Sequence, residues 1–128
     1  MKMRYLLDTH ILLWGVSNVY RLSPQVRQVL ASPDNDVFVS VVTAWEISIK
    51  LRLGKLSSPL GLEQEIIRCG FSPLLLTFSH AEAVAELPLI HRDPFDRMLI
   101  VQAQLDGLIL VTADSAFKAY DVDLLFMK

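Results

Sequence analysis

Short runs of apolar residues alternate along the chain with segments in which apolar side chains recur at helical spacing. The apolar runs predict β-strands at residues 4–7, 37–40, 73–77, 108–112 and 122–126. The periodic segments predict helices at residues 9–16, 24–31, 43–53, 62–69, 80–87 and 94–106, with a short helix after Ser115. Strands that alternate with helices of these lengths are typical of an α/β domain with a mostly parallel sheet covered on both faces.

Capping residues predict where these helices begin. Ser23 and Asp93 each precede a proline, which places a capping side chain before a proline at the first helical position. Thr43 and Glu46 have the Thr-x-x-Glu spacing of a capping box, so the third long helix is expected to start there. Ser79 is the expected cap of the helix that follows.

Composition limits the class of protein. The chain has 128 residues, of which 52% are apolar, which fits a single domain over residues 1–128. A mean hydropathy of +0.40 without a run of about 18 apolar residues predicts no membrane span but an apolar surface, and hence an oligomer. The lack of an export signal and the single cysteine, Cys69, fit a cytoplasmic protein. A net charge of -2 leaves any nucleic-acid binding to local Arg and Lys residues.

Acidic side chains follow three of the predicted strands. Asp8, Glu46 and Asp114 each lie at or just after the end of one. Since parallel strands end at the same edge of a sheet, these carboxylates are expected to meet there. Asp96, in the first turn of its helix, reaches the same edge if that helix begins there. Carboxylate oxygens are the ligands that Mg²⁺ prefers, so the cluster predicts a metal site suited to phosphate chemistry.

Each of these acids also has a purely structural explanation. Asp8 and Asp114 are at N-cap positions, and Glu46 and Asp96 are at the third position of predicted helices, where a carboxylate complements the helix dipole. Capping alone gives no reason to gather acids at one edge, where their mutual repulsion raises pKa values and costs stability. The combination therefore favours a metal site, because a bound cation would remove that repulsion.

Four segments, in this order, carry a resemblance to a known family. They are Leu6-Leu7-Asp8-Thr9-His10, Trp45-Glu46-Ile47-Ser48-Ile49-Lys50, His91-Arg92-Asp93-Pro94-Phe95-Asp96-Arg97-Met98-Leu99-Ile100 and Val111-Thr112-Ala113-Asp114. Any one of them is a weak signal, but together they span nearly the whole chain. Their order and spacing closely resemble PIN-domain ribonucleases, and more narrowly the VapC-type toxins of bacterial toxin-antitoxin pairs.

The resemblance implies a PIN-like three-layer sandwich and an endoribonuclease that depends on Mg²⁺ or Mn²⁺. It also implies a cognate antitoxin as partner and a homodimer. The catalytic set that it implies is Asp8, Glu46, Asp96 and Asp114. In that mechanism Asp8, Asp96 and Asp114 hold one or two ions that activate water for in-line attack on a phosphodiester, and Glu46 tunes the metal or positions water.

Four polar residues are predicted to contact substrate or the water around it, each with a structural alternative. Arg97 can hold a phosphate or pair with a neighbouring acid. Lys50 can contact the RNA backbone or pair with the acid four residues before it. Thr112 and Ser115 can hydrogen-bond a metal-bound water, although a threonine that ends a strand is ordinary.

Other interpretations fit the sequence less well. His10, His80 and His91 suggest zinc, but they form no helical His-x-x-x-His pair, and an acidic ligand set favours Mg²⁺ or Mn²⁺. A phosphoacceptor receiver domain would carry paired acids after the first strand, where Asp8 stands alone. A non-catalytic interaction module on the same fold is the alternative to an enzyme.

Overall fold

The structure is a computed structural model that describes residues 2–55 and 61–128. Within these residues the chain forms five strands and six α-helices. The strands are β1 (Arg4–Leu7), β2 (Asp36–Ser40), β3 (Ser72–Leu74), β4 (Ile109–Thr112) and β5 (Leu124–Phe126). The helices are α1 (Thr9–Ser17), α2 (Pro24–Ala31), α3 (Val41–Arg52), α4 (Leu62–Arg68), α5 (Phe78–Ala83) and α6 (Pro94–Asp106). Short 3-10 helices cover Val19–Arg21, Val84–Glu86 and Ser115–Ala119.

The strands form one sheet in the order β3-β2-β1-β4-β5. β1 lies at the centre and pairs in parallel with β2 and β4, and the outer pairings are parallel as well. The carboxyl ends of all these strands therefore lie along the same edge. The predicted α/β fold, with a parallel central sheet flanked by helices, is confirmed.

The core lies on both faces of the sheet. Side chains alternate along β1, so that Tyr5 and Leu7 enter one apolar cluster while Leu6 enters the other. The first cluster includes Ile11 of α1, and the second includes Leu99 of α6. Burying one such side chain contributes about 1.5–3 kcal/mol, so packing from both sides fixes the position of β1 and of the residue that follows it.

The predicted capping box at the start of α3 is wrong. The helix begins at Val41, directly after β2, and Ser40 caps it by accepting a hydrogen bond from the backbone N–H of Val42 at 3.0 Å. Thr43 is buried inside the helix, and its hydroxyl has no hydrogen-bond partner among residues 2–55 and 61–128. Glu46 consequently lies in the second turn of α3 and plays no part in the cap.

The predicted start of α5 is also displaced. Thr77 is the cap in place of Ser79, and its hydroxyl accepts a hydrogen bond from the N–H of His80 at 3.1 Å. The ring nitrogen Nδ1 of His80 accepts the N–H of Thr77 at 3.1 Å and completes a capping box. The strand predicted at residues 73–77 is shorter than expected, because β3 ends at Leu74, before the cap.

Other predicted features of the fold are present. Ser23 and Asp93 cap α2 and α6, each with a proline at the start of the helix. Gly107 ends α6 with a backbone φ of 66°, a left-handed conformation that favours glycine. In the described part of the chain, no helix combines the length and the apolarity that crossing a membrane requires. A single domain over residues 1–128 stays a prediction.

Candidate active site

A cavity of about 180 Å³ lies at the carboxyl edge of the sheet. Its walls come from the start of α1, the middle of α3, the start of α6 with the loop before it, and the segment after β4. The lining residues are Asp8, Thr9, His10, Glu46, Lys50, His91, Asp93, Asp96, Asp114 and Phe117. The structure thus places the four acids predicted from the sequence around one cavity.

Asp8 follows β1 and is held by two hydrogen bonds. Its Oδ1 accepts the N–H of Ile11 at 2.9 Å, which caps α1, and its Oδ2 accepts the hydroxyl of Thr112 in a very short contact. The side chain is almost fully buried, with 4% exposed. Burial raises the pKa of Asp8, and both hydrogen bonds lower it in part. The carboxylate is therefore fixed in direction at the cavity wall.

Glu46 lines the cavity and connects its own helix, α3, to α1. Its Oε1 accepts the hydroxyl of Thr9 at 2.6 Å, and its Oε2 accepts the ammonium group of Lys50 at 2.7 Å. The bond to Glu46 raises the pKa of Lys50. The structural alternative for Lys50, an i,i+4 pair, is therefore present, and Lys50 also lines the cavity.

Asp96 occupies the third position of α6. Asp93 caps the helix, because its Oδ1 accepts the N–H of Phe95 at 2.8 Å and that of Asp96 at 3.2 Å. Burial raises the pKa of Asp96 to about 6, and the nearby charges of Asp93 and Glu46 also raise it, whereas the contact with His91 lowers it. Nε2 of His91 lies 2.7 Å from Oδ2 of Asp96.

Thr112 connects two of the acids. Its hydroxyl donates to Asp8 and accepts the N–H of Asp114 at 3.0 Å. The residue is fully buried and is not among the residues that line the cavity. The structure therefore does not place Thr112 where it could contact a metal-bound water. Its place in the structure is to hold Asp8 and Asp114 in register at the ends of β1 and β4.

Asp114 and Ser115 face more open space. Oδ1 of Asp114 accepts the N–H of Ala116 at 2.9 Å, so the residue caps a 3-10 helix while its side chain remains exposed. A second cavity of about 440 Å³ is lined by Ser115, His10 and Trp14 and shares Asp8 and Asp114 with the first. The role of Ser115 in substrate binding stays a prediction.

Arg97 is not placed to bind substrate. Its guanidinium group is buried and donates hydrogen bonds to the carbonyl oxygens of Pro88 at 2.8 Å and Leu87 at 3.0 Å. Successive residues of an α-helix are turned by about 100°, so Arg97 points to the loop before α6 while Asp96 points to the cavity. The structure therefore contradicts the predicted contact of Arg97 with a phosphate. Arg97 instead anchors the loop that carries His91.

The donors at the cavity fit a divalent ion. One atom each from His91, Asp96 and Asp114 lie within 4.8 Å of one another. Carboxylate oxygens suit Mg²⁺ and Mn²⁺, and an imidazole nitrogen suits transition metals. The sequence suggested His91 only as part of a zinc site, which the histidine spacing did not support, so His91 was not among the predicted metal ligands. The signal available was its place in the loop immediately before the cap of α6.

Known proteins give a consistent identification of the fold. A profile of the PIN domain matches residues 5–123. The chain is similar to Ribonuclease VapC16 of Mycobacterium tuberculosis, with 35% identity over a 60-residue alignment that covers 44% of this chain. That match covers 43% of the relative, so the chain spans less than half the length of this curated protein.

Solved structures share the fold at low sequence identity. VapBC2 of Rickettsia felis, bound to a DNA fragment from its promoter, has a TM-score of 0.71 at 16% identity, over 98% of this chain and 100% of that chain. DNA-bound VapBC of Salmonella typhimurium has a TM-score of 0.63 at 17% identity, over 97% of both chains. With a family profile that extends over nearly the whole sequence and a sheet of the same architecture, the chain belongs to the PIN domain family.

Proposed function

We propose that this protein is a metal-dependent endoribonuclease that acts as the toxin of a type II toxin-antitoxin pair. One observation carries the proposal: Asp8, Glu46, Asp96 and Asp114, far apart in the chain, line one cavity at the carboxyl edge of the sheet. Such an arrangement costs stability unless a cation or substrate uses it. The similarity to Ribonuclease VapC16 supports an RNA substrate.

Neighbouring groups orient two of the acids for their proposed roles. Asp8 is oriented by Thr112 and the start of α1, and Asp96 by the cap of α6 and His91. Asp8, Asp96 and Asp114 are the proposed holders of Mg²⁺ or Mn²⁺. When bound, the ion supplies Lewis acidity at the scissile phosphate and lowers the pKa of water. Hydrolysis by water leaves a 5′-phosphate and a 3′-hydroxyl.

Glu46 and Lys50 are proposed to balance charge beside the reacting phosphate. Lys50 neutralises one oxygen of Glu46, and its ammonium group is a cation at the cavity wall. A phosphate oxygen that approaches the cavity meets this group as a partner. The reaction needs no 2′-hydroxyl, so a preference for RNA would come from contacts and groove shape outside the reacting atoms.

Cleavage of RNA by the purified protein tests the enzymatic part of the proposal. A pool of cellular RNA with Mg²⁺ or Mn²⁺ should be cut by the wild type, and Asp96→Asn should lower the rate by about 100-fold or more. Asp34→Asn, which changes an exposed carboxylate outside the cavity, is the matched control. Equal cutting by wild type and Asp96→Asn would show that a contaminating nuclease is responsible and would reject the proposal.

The proposed partner is a small antitoxin protein, and the structural neighbours that are toxin-antitoxin complexes support this. An RNA substrate and such a partner imply a cytoplasmic site of action. A reading frame beside the gene should encode a protein that co-purifies with this chain and stops RNA cleavage. A neighbouring product that neither binds nor inhibits would remove the antitoxin from the proposal.

We also propose a homodimer, and exposed apolar side chains support it. Trp45 and Phe78 are 61% and 87% exposed, which is unusual for large aromatic side chains in a monomer. Sedimentation of the purified chain measures its mass in solution. A mass equal to that of one chain at micromolar concentration would contradict the dimer.

A further inference from the structure

The loop of residues 87–93, called here the His91 loop, is held in place by hydrogen bonds to its backbone. Tyr120 accepts the N–H groups of His91 at 2.7 Å and Ile90 at 3.2 Å, and its hydroxyl donates to the carbonyl of Pro88 at 2.9 Å. Arg97 also donates a hydrogen bond to the carbonyl of Pro88, at 2.8 Å. The backbone of His91 is thus fixed by buried groups, and its ring is presented to the cavity in a set position.

The ring of His91 points to the same space as two carboxylates. Its Nε2 lies 2.7 Å from Oδ2 of Asp96, and a donor atom of Asp114 completes a group in which all atoms lie within 4.8 Å of one another. Two ligands of an octahedral ion with bonds of about 2.1 Å are about 3 Å apart when adjacent and about 4.2 Å apart when opposite. The separations of the three donors, none above 4.8 Å, are thus of the size at which ligands can share one ion.

We infer that His91 supplies an imidazole nitrogen to the metal site, together with oxygens of Asp96 and Asp114, so that the site prefers Mn²⁺ to Mg²⁺. The inference rests on the proposed metal-dependent function and adds a donor that the four acids do not include. Mg²⁺ is a hard ion that keeps oxygen ligands and water, whereas affinity for a nitrogen donor rises from Mn²⁺ onwards along the first-row metals. A site with both nitrogen and oxygen donors consequently binds Mn²⁺ more tightly than Mg²⁺.

A competing role for His91 makes a different prediction. As a hydrogen-bond donor to Asp96 it would orient the carboxylate and leave the ligand set all oxygen. Loss of the imidazole would then weaken Mg²⁺ and Mn²⁺ binding by a similar factor. Direct ligation requires a selective loss of Mn²⁺ affinity and a nitrogen atom bonded to the ion.

Electron spin-echo measurements on the full chain loaded with Mn²⁺ test this directly, because a coordinated imidazole gives a nitrogen hyperfine coupling. The wild type should show the coupling, and growth on nitrogen-labelled histidine should change it. His91→Asn should lose the coupling, because it has no imidazole ring. His10→Asn removes another ring that lines the same cavity and should keep the coupling.

Calorimetric titration with each ion gives a second readout. His91→Asn should raise the Kd of Mn²⁺ by about tenfold or more and that of Mg²⁺ by less than about threefold. An absent nitrogen coupling in the wild type, or an equal loss of affinity for both ions in His91→Asn, would overturn the inference. RNA cleavage without the coupling would reject His91 as a ligand and leave the nuclease intact. The coupling without RNA cleavage would support the ligand and reject the proposed nuclease.

Discussion

Asp96 lies where burial opposes its charge. Loss of hydration raises its pKa from 3.8 to about 6, and the carboxylates of Asp93 and Glu46 act in the same direction. His91, at 2.7 Å, lowers the pKa but does not cancel the effect of burial. The folded protein consequently binds the Asp96 proton more tightly than the unfolded chain does.

We expect this carboxyl group to make the metal-free protein less stable as the pH rises. Between pH 3.8 and about 6 the folded state keeps a proton that the unfolded chain has released, so the free energy of unfolding falls with rising pH. Asp96→Asn removes this contribution. Its free energy of unfolding relative to wild type should therefore be higher at pH 7 than at pH 4 by up to about 3 kcal/mol.

Urea unfolding in EDTA at both pH values measures the difference. Asp34→Asn changes an exposed carboxylate and should show no such dependence on pH. If Asp96→Asn changed stability equally at pH 4 and pH 7, the raised pKa would be refuted.

Two buried threonines provide a matched pair of substitutions with opposite outcomes. The hydroxyl of Thr9 donates to Glu46 at 2.6 Å, whereas that of Thr43 has no partner within the described residues. Thr9→Val leaves a buried carboxylate oxygen without its donor and should lower the free energy of unfolding by about 1–3 kcal/mol. Thr43→Val removes a hydroxyl without a hydrogen bond and should raise it by about 1 kcal/mol. Urea unfolding measures both, and a destabilised Thr43→Val would mean that its hydroxyl is bonded.

Sequence position predicted which acids gather, but it did not predict where a neighbouring side chain points. Asp8 and Asp114 follow directly from strand ends, since the carboxyl edge of a parallel sheet collects them. Arg97 was predicted to hold a phosphate or to pair with an acid because it adjoins Asp96, yet one step of about 100° along the helix turns it away from the cavity to the loop before α6. His91 was not among the predicted metal ligands, and the position of its ring depends on a hydrogen bond between its backbone and Tyr120, which lies 29 residues away.

The His91 loop behaves as one element with the start of α6 and the segment around Tyr120. Tyr120→Phe keeps the ring but removes the acceptor of two backbone N–H groups, those of Ile90 and His91. Each lost hydrogen bond costs about 0.5–1.5 kcal/mol, so both amides should exchange with solvent about tenfold faster or more. Hydrogen exchange followed by NMR measures the rates.

A control variant separates this local opening from general loosening. Tyr20→Phe changes a tyrosine that is 82% exposed and should leave both amides protected as in the wild type. Unchanged exchange at Ile90 and His91 would show that the loop does not depend on the Tyr120 hydroxyl.

Helix starts show why element boundaries were harder to predict than the elements themselves. Thr43 and Glu46 have the right spacing for a capping box, but Ser40 lies nearer the end of β2 and takes the cap. Strand pairing ends at a point that the local sequence does not encode, and the helix begins as soon as the chain leaves the sheet. Asp93 was predicted correctly because the following proline confines the start of α6.

At the scale of the whole molecule, parallel connectivity brings Asp96 to the other acids. β4 runs parallel to β1, so the chain must return from the carboxyl edge to the amino edge before β4 begins, and α6 makes that return. Its first turn therefore lies at the carboxyl edge. Alternating strands and helices predicted the parallel sheet, whereas the strand order, with β1 at the centre, depends on packing of both faces that spacing alone does not specify.

The gathering of carboxylates at the sheet edge predicts that adding a metal ion reverses which protein is the more stable, the wild type or Asp114→Asn. In EDTA, burial is the main cause of the raised pKa of Asp8, and repulsion by the exposed Asp114 adds to it, so Asp114→Asn should melt at or slightly above the wild-type temperature. Asparagine caps a helix about as well as aspartate, so the cap is retained. An ion at about 100 times its Kd should stabilise the wild type by about 2.7 kcal/mol, which corresponds to roughly 10 °C in Tm.

Asp114→Asn should gain much less from Mn²⁺, so the wild type becomes the more stable of the two once the ion is added. Thermal unfolding with EDTA and with Mn²⁺ measures the crossing, and Asp34→Asn should follow the wild type in both conditions. The crossing distinguishes a shared ion from general screening of charge, because screening can at most remove the advantage of Asp114→Asn and does not reverse the order of stability. Parallel shifts in wild type and Asp114→Asn would mean that the carboxylates at the sheet edge do not hold a common cation.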